Sequence, residues 1–282
     1  MAQRKGQSKQ RRRRRRDRRG GTPTVLVLLC LLIGAAAVIT AMTLFFKIET
    51  FTVTGDSRYS ADYIIEASGL QQGDNLVLFE KNRAVADVFE ACPWLDTLRI
   101  RRRYPNGIEF LITECDPAAV LVDKPLEIPD PEDDTGEGTL LIGTTGSWLM
   151  DINGKLLEKI ADYAWPTLPH IEGVTLKDPA VGTYVKFFEE DDQKPVFLLL
   201  NTAKDDGILQ DIGGVDFSQQ YDIRFDYLGR FRVKLGSTED LEKKLRCLHD
   251  ITENKLGSNV RGTLDVSNIA VTQTARFLPT TE

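Results

Sequence analysis

The sequence LRIRRRYPNGIEFLITE, residues 98–114, reads as two strands joined by a tight turn. Apolar residues alternate with polar ones along 98–104 and again along 108–114, which is the period of a strand with one buried face. The three residues between them, Pro-Asn-Gly at 105–107, are turn formers. The stretch therefore predicts an antiparallel hairpin.

The residues before this hairpin predict one further strand and two helices. FTVTG at 51–55 alternates apolar and polar side chains, as a half-buried strand does. Ser60 is typical of a helix start and Gly69 of a helix end. A second apolar stripe follows at 84–89, and Pro93 stops that helix. The predicted order of this small domain is β-α-α-β-β.

Three arginines occupy one face of the predicted hairpin, at Arg99, Arg101 and Arg103. We expect them to lie opposite Glu109 and Glu114 on the second strand. Two interpretations stay open at this point: a solvated sheet face, or a secondary surface for a protein partner.

An uncharged stretch of 22 residues, 25–46, precedes the small domain. A helix of that length reaches about 33 Å, enough to cross a hydrocarbon core of roughly 30 Å. The small residues at 35–37 leave a cleaved signal peptide as the alternative. An apolar core of about 7–15 residues is usual for a signal peptide, so the length favours an uncleaved anchor, assigned to residues 24–46.

The charge is divided sharply along the chain of 282 residues, whose net charge is −6. Residues 1–19 contain eleven Arg and Lys and one acid, a charge of +10 that leaves −16 for the rest. The positive-inside rule places residues 1–23 in the cytoplasm and the acidic remainder outside.

The basic tail itself is expected to contact anionic lipid headgroups. Nucleic-acid binding is the alternative, but the tail offers no aromatic side chain for stacking on bases, so no nucleic acid is expected. The arginines concerned are Arg11, Arg12, Arg13, Arg14, Arg15, Arg16, Arg18 and Arg19.

The rest of the chain, 117–278, predicts a larger β-rich region with helices. Residues 123–138 are acidic and proline-rich, and predict an exposed loop that interrupts a strand pair. Two hairpins are expected, at 148–160 around Asn-Gly and at 222–235 around Leu-Gly. One helix is expected to begin at Pro195, and another, with a leucine stripe, to be capped by Ser237.

Residues that carry out catalysis or bind metals do not form a legible pattern. The two histidines, His170 and His249, stand at no metal-ligand spacing, and no hydrolase, zinc-protease or phosphate-loop motif is present. We expect no cofactor, no metal and no catalytic residue. Outside the anchor the cysteine number is odd, and a disulfide between Cys92 and Cys115 stays open.

Taken in order, these segments resemble the FtsQ family of bacterial cell-division proteins, called DivIB in Gram-positive bacteria. The resemblance rests on FTVTG, SGLQQGDNLVLFE, CPWLDTLRIRRRYPNGIEFLITE and CDPAAVL, and then on WLMDINGK, LPHIEG and GTLDVSN. The chain departs from the family pattern at Asp56, where Asn is usual, at Cys115, where Arg is usual, and at Ser267, where Arg is usual. The spacing around these positions is kept.

The resemblance implies an α+β fold with a single-pass membrane anchor. A small POTRA domain at 47–116, a larger β-rich mixed α/β domain at 117–278 and a tail at 279–282 are expected to follow the anchor. It implies a non-enzymatic scaffold of the divisome, located in the cell membrane at the septum. Its implied partners are FtsL and DivIC or FtsB-like proteins and, indirectly, the septal peptidoglycan synthases.

The partner surface is expected at a last strand, residues 269–277, where an extended partner segment would add to the exposed edge. The candidate residues are Ile269, Val271, Thr272, Gln273, Ala275 and Phe277.

Two other classes of function stay open. A POTRA-bearing component of polypeptide transport needs many lipid-facing strands of about ten residues, which the acidic C-terminal region does not offer. A membrane-anchored cell-wall enzyme needs a catalytic constellation, and none is legible in the sequence.

Overall fold

The computed structural model describes residues 22–129, 139–142, 145–161 and 165–280. Helix α1, Thr22–Phe45, covers the predicted apolar span except for its last residue, Phe46. Its segment Thr24–Ala41 is long and apolar enough to cross a membrane, and none of that segment is buried within the protein. An apolar helix that the described protein leaves uncovered is suited to a lipid environment.

The small domain has the predicted β-α-α-β-β order. Its elements are β1 (Thr50–Thr54), α2 (Ala61–Ala67), α3 (Lys81–Ala91), β2 (Leu95–Arg103) and β3 (Gly107–Glu114). The three strands form one sheet in the order β1-β3-β2.

Local chemistry explains where these elements begin and end. The Ser60 side chain accepts a hydrogen bond from the Tyr63 N–H and so caps α2, as predicted. Gly55 ends β1 at a φ of 124°, and a Cβ there would lie 2.1 Å from the Ile112 carbonyl oxygen. Glycine is therefore required where β1 meets β3.

The larger region contains eleven strands and three helices among its described residues. They are β4 (Pro117–Asp123), β5 (Leu126–Pro129), β6 (Thr139–Ile142), β7 (Gly146–Asp151), β8 (Leu156–Ile160), β9 (His170–Val174), α4 (Glu190–Asp205), β10 (Ile212–Asp216), β11 (Ile223–Tyr227), β12 (Phe231–Gly236), α5 (Leu241–Asn254), β13 (Gly262–Asp265), α6 (Ile269–Thr272) and β14 (Arg276–Pro279). A 3-10 turn, Leu209–Asp211, precedes β10.

Nine of these strands form one mixed sheet in the order β14-β13-β12-β11-β10-β9-β4-β7-β8. The pairs β4/β9, β9/β10 and β12/β13 are parallel, and the other pairs are antiparallel. Both predicted hairpins are present as β7/β8 and β11/β12. The predicted α+β class, with a β-rich mixed region after the small domain, is confirmed.

The two faces of this sheet pack against different neighbours. In β4, Ala119 and Leu121 join the main core, which also contains the apolar faces of α4 and α5. Val120 between them joins a separate cluster that includes Trp94 of the small domain. This alternation follows from the period of two along a strand.

The acidic segment contains more structure than the predicted loop. Residues 126–129 form β5, which pairs with β6, whereas β4 pairs with β7 on the other side of the insertion. The acidic segment is predicted to interrupt a pair between the strands of Val120 and Leu140. An interruption is present, but the strand of Val120 pairs with β7, where Leu149 lies opposite Val120, and the strand of Leu140 pairs with β5. Residues 130–138 lie outside the described residues.

The predicted last strand at 269–277 is wrong over most of its length. Residues 269–272 form the short helix α6, Gln273 has a φ of 53°, and the strand β14 begins only at Arg276. Ile269 is buried in the main core, and the Thr272 N–H donates to the Asn268 carbonyl. Burial of Ile269 thus favours a helical turn over the extended chain that its β-branched neighbours suggest.

Two helix starts also differ from the prediction. Helix α4 begins at Glu190, so Pro195 lies inside it, where its missing N–H removes one backbone hydrogen bond. Helix α5 begins after Asp240, because the Ser237 hydroxyl accepts from the nearby Glu239 N–H in a local turn instead of capping the helix.

Tertiary contacts divide the chain into two compact units. Among the described residues, the first comprises 22–50, 71–79 and 102–108, and the second comprises 51–70, 80–101 and the described part of 109–280.

Candidate partner-binding surface

Strand β14 is one edge of the nine-stranded sheet in the part of the chain that the structure describes. It pairs antiparallel with β13, with Leu264 opposite Phe277 and Asp265 opposite Arg276. An edge strand presents unpaired backbone groups to which another extended chain can add.

The register shows which backbone groups of β14 face outward. Just past the strand, the Thr280 N–H donates to the Arg261 carbonyl, so residue 280 faces β13. Backbone groups alternate in direction along a strand, so Arg276 and Leu278 also face β13 while Phe277 and Pro279 face away. Proline has no N–H. Phe277 is therefore the outward-facing residue of β14 that offers a donor.

The Phe277 ring holds this strand in place. It packs edge-on against Phe231, with ring centroids 6.3 Å apart. Gly262 makes room for it, since a Cβ at that position would lie 2.7 Å from the Phe277 ring and 2.3 Å from the Leu278 carbonyl oxygen. Packing of the Phe277 ring thus fixes β14 against the sheet, whereas no described strand pairs with the backbone groups that face away from β13.

The structure brings only part of the predicted set onto this edge. Phe277 lies in β14. Ala275 is half-buried and is the residue directly before that strand. The other four residues, Ile269, Val271, Thr272 and Gln273, lie in α6 or at its C-terminal cap. Sequence reasoning missed Arg276 and Leu278, although Pro279 is the kind of residue that edge strands carry.

The other predicted surfaces have mixed outcomes. Arg99, Arg101 and Arg103 are exposed along β2, as expected. Glu114, however, pairs with Arg58, at 2.5 Å from its Nε, instead of with the arginine row. Arginine and carboxylate side chains form strong charge-assisted hydrogen bonds, which explains the preference for this well-aligned partner. Residues 11–19 of the basic tail lie outside the described residues.

Apolar side chains of the small domain and the large sheet meet in a junction cluster. Its buried members are Trp94, Cys115, Val120, Leu149 and Leu157. The Arg58 guanidinium carbon lies 3.2 Å from the centroid of the Trp94 ring, and the Trp165 ring lies 6.3 Å away. The indole is therefore enclosed on more than one side.

Lys155 crosses the same junction from the β7/β8 turn. Its ammonium donates to the Leu95 carbonyl at 2.8 Å, lies 5.2 Å from the Phe89 ring centroid, and only 8% of the residue is exposed. Asp151 accepts from the Lys155 backbone N–H at 2.7 Å and fixes the turn. A buried amine with these partners ties the two sheets together.

We expect Lys155→Met to lower the free energy of unfolding by about 1–3 kcal/mol, because it leaves the Leu95 carbonyl buried without this donor while keeping the apolar stem. Thermal unfolding of the full chain in detergent measures the change. Lys159→Met is the control, because the Lys159 ammonium lies over the Trp148 ring, 5.4 Å from its centroid, and not at the Leu95 carbonyl that Lys155 bonds. An equal loss in both variants would contradict the role given to Lys155.

Asp96, Cys115 and Asp151 place one potential ligand atom each within 4.8 Å of one another. The donor set suits a metal poorly, because Asp151 Oδ1 already accepts from the N–H groups of Asn153 and Lys155. Burial raises the pKa of the Cys115 thiol to about 11, and the nearby carboxylates add to this while Lys155 opposes it. A thiol in that state is a poor ligand and nucleophile.

Cys92 and Cys115 are both buried and free, so the disulfide that the sequence left open is absent from the structure. We expect iodoacetamide at pH 8 to label the half-buried Cys247 well before Cys115, because thiolate is the reactive form. After unfolding without reductant, Cys92 and Cys115 should both be alkylated. Peptide mapping measures both results, and a cross-linked Cys92 peptide would contradict them.

Above pH 9, the Cys115 thiol should also make stability fall with pH. Its folded-state pKa is raised, so the folded protein retains a proton that the unfolded chain releases, and this stabilisation disappears as the pH rises through about 11.

Each of the two histidines contacts a neighbouring group of the fold. His249 Nδ1 lies 3.3 Å from the Tyr227 hydroxyl, and His170 Nε2 lies 3.3 Å from the Trp165 carbonyl oxygen. Contacts of this kind position a ring within the fold.

Comparison with known families identifies the small domain. A family described as "POTRA domain, FtsQ-type" matches residues 46–114. This range covers the sheet β1-β3-β2 and both of its helices.

Individual relatives extend the similarity beyond that domain. The chain is 24% identical over 229 residues to cell division protein DivIB of Clostridium botulinum, covering 79% of each chain. It is 25% identical over 211 residues to cell division protein FtsQ of a Geobacter species, covering 74% of this chain and 68% of the relative. FtsQ of Corynebacterium glutamicum is 24% identical over 159 residues, covering 56% of this chain and 69% of the relative.

All three relatives are named cell division proteins, and the DivIB match covers 79% of this chain, more than the small domain alone. The predicted resemblance is confirmed: residues 46–114 match an FtsQ-type POTRA domain, and the chain is similar to cell-division proteins named DivIB and FtsQ.

Proposed function

We propose that this chain is a non-enzymatic, bitopic scaffold of the bacterial divisome. It binds FtsL and DivIC or FtsB-type proteins through its extracytoplasmic domains and links them to septal peptidoglycan synthesis. The names of its relatives support a role in cell division. The partners are the ones that the resemblance to that family implies.

The proposed domain organisation uses the boundaries that the sequence predicts. Residues 1–23 form a cytoplasmic basic tail whose arginines contact lipid headgroups, and 24–46 form the anchor. Residues 47–116 form the POTRA domain and 117–278 the β domain, both outside the membrane, with 279–282 as a short tail. The apolar helix α1 and the positive charge before it support this orientation.

The outer edge of β14 is the observation that carries the scaffold proposal. Phe277 presents an outward N–H on a strand whose inner side is fixed by packing. An extended partner segment that adds there gains main-chain hydrogen bonds, and the exposed side chain of Leu278 offers an apolar contact. The arginine row of β2 is a secondary candidate surface.

Purification of the full chain from native membranes in mild detergent tests this function. We expect quantitative mass spectrometry to show enrichment of small bitopic division proteins of the FtsL and DivIC or FtsB type. The control bait is residues 1–46 fused to an unrelated soluble protein, which keeps the tail and anchor but lacks both extracytoplasmic domains. Equal enrichment by both baits, or none by the full chain, would contradict the proposal.

A further inference from the structure

The polypeptide leaves the anchor helix without a spacer. Helix α1 ends at Phe45, and the carbonyl of the next residue, Phe46, accepts from the Leu76 N–H at 2.8 Å. Two residues further on, the Ile48 N–H donates to the Asp74 carbonyl, also at 2.8 Å. The loop 73–79 is therefore bonded directly to the end of the helix.

This short connection fixes where that loop lies if α1 spans the bilayer, as the proposed function requires. One residue extends the chain by at most about 3.6 Å. The headgroup layer on each side of the hydrocarbon core is roughly 5–8 Å thick. Loop 73–79 must then lie at the membrane surface. The turn at 104–107 must lie there too, because its Asn106 carbonyl accepts a hydrogen bond from the Glu49 N–H, close to the end of the helix.

The side chains exposed at this place suit a lipid interface. Leu78 is 66% exposed and Tyr104 is 63% exposed. The Tyr104 ring packs edge-on against Phe46, with centroids 5.8 Å apart at 89°. Tyrosine is enriched where proteins meet the headgroup layer, since its ring is apolar and its hydroxyl polar. Exposed Lys47 and Arg103 add positive charge beside them.

The loop that carries Leu78 is held rigidly. The Asn75 side chain accepts from the N–H groups of Val77 and Leu78, each at 2.9 Å. Arg102 Nε donates to the Leu76 carbonyl at 2.7 Å, and its guanidinium carbon lies 4.7 Å from the Phe79 ring centroid. Exposure of Leu78 is therefore a consequence of fixed backbone geometry.

We propose that Phe46, Lys47, Leu78, Arg103 and Tyr104 form a membrane collar that inserts into the headgroup layer. Leu78 and Tyr104 enter the boundary between headgroups and acyl chains, and the two cations contact lipid phosphate groups. This proposal rests on the membrane anchor of the proposed function, and it adds a lipid-binding surface outside the anchor itself.

Fluorescent labelling of the full chain in lipid vesicles tests the collar. The chain carries Cys30→Ser and Cys247→Ser, and an environment-sensitive NBD label is attached through Leu78→Cys or, as a second site, Tyr104→Cys. Vesicles contain phosphatidylethanolamine and phosphatidylglycerol, with or without lipids carrying a nitroxide at the top of the acyl chain. The control label is attached through Tyr221→Cys, because Tyr221 is 80% exposed and lies in the other unit.

We expect blue-shifted emission and a roughly twofold or greater loss of intensity from nitroxide lipids at positions 78 and 104, because the label lies in the headgroup layer. The label at 221 should show neither effect. Vesicle flotation of the same samples separates the two claims. A chain that floats while labels at 78 and 104 behave like that at 221 overturns the collar alone. A chain that does not float overturns the anchor and the collar together.

Discussion

Trp94→Ala should lower the free energy of unfolding by about 3–5 kcal/mol and the midpoint of thermal unfolding by roughly 6–20 °C. The indole is a buried member of the junction cluster and lies under the Arg58 guanidinium. Its removal leaves a cavity between the two sheets and takes away the cation–π contact. Thermal unfolding of the full chain in detergent, followed by near-ultraviolet circular dichroism, measures the effect.

Trp165→Ala is the matched control for this variant. It removes the same side chain type from the same neighbourhood, but Trp165 is 38% exposed, so less apolar surface returns to water. We expect a loss of less than half of that in Trp94→Ala. Similar losses in the two variants would show that burial at the junction does not dominate the stability of this region.

Phe277→Pro should weaken partner binding by about 10- to 100-fold, since the partner strand loses the outward backbone donor and an unpaired carbonyl costs about 1–3 kcal/mol. The substitution removes none of the hydrogen bonds from β14 to β13 directly, because the Phe277 backbone faces away from β13. Titration of the purified full chain with the proposed FtsL- and DivIC-type partners in detergent measures the dissociation constant.

The Phe277→Ala variant distinguishes the effect of losing the backbone N–H from the effect of losing the aromatic ring. Both variants lose the contact with Phe231, but only the proline variant loses the N–H. We expect the Phe277→Ala variant to bind the partners several-fold more tightly than the Phe277→Pro variant. Equal affinities would mean that the backbone of β14 does not make the contact. Thr272→Pro is uninformative on this point, because Thr272 belongs to α6 and its N–H bonds to Asn268.

The elements that the sequence predicts well have local signals. The turns at 105–107 and 153–154 are specified by Pro, Asn and Gly, and the flanking strands have a clear period of two. The anchor helix is predicted by an uncharged run that is long enough to cross a membrane and longer than the apolar core of most signal peptides. Ser60 caps α2 as its residue type suggests.

The elements that the sequence predicts poorly are decided by distant contacts. Ile269 and its neighbours form a short apolar run, which is ambiguous between helix and strand, and burial of Ile269 in the main core selects the helical turn. Lys155 and Leu95 are sixty residues apart, and no local pattern links them. The edge position of β14 depends on the order of nine strands, which only the folded topology reveals.

Amide hydrogen exchange at the backbone of β14 tests the central claim most directly. The full chain is compared alone and in a co-purified complex with the proposed FtsL- and DivIC-type partners, and exchange is resolved across residues 274–280. We expect the outward Phe277 N–H to exchange rapidly in the free chain, and its exchange rate to fall at least about tenfold in the complex. Unchanged, rapid exchange at Phe277 in a fully formed complex would contradict strand addition at this edge.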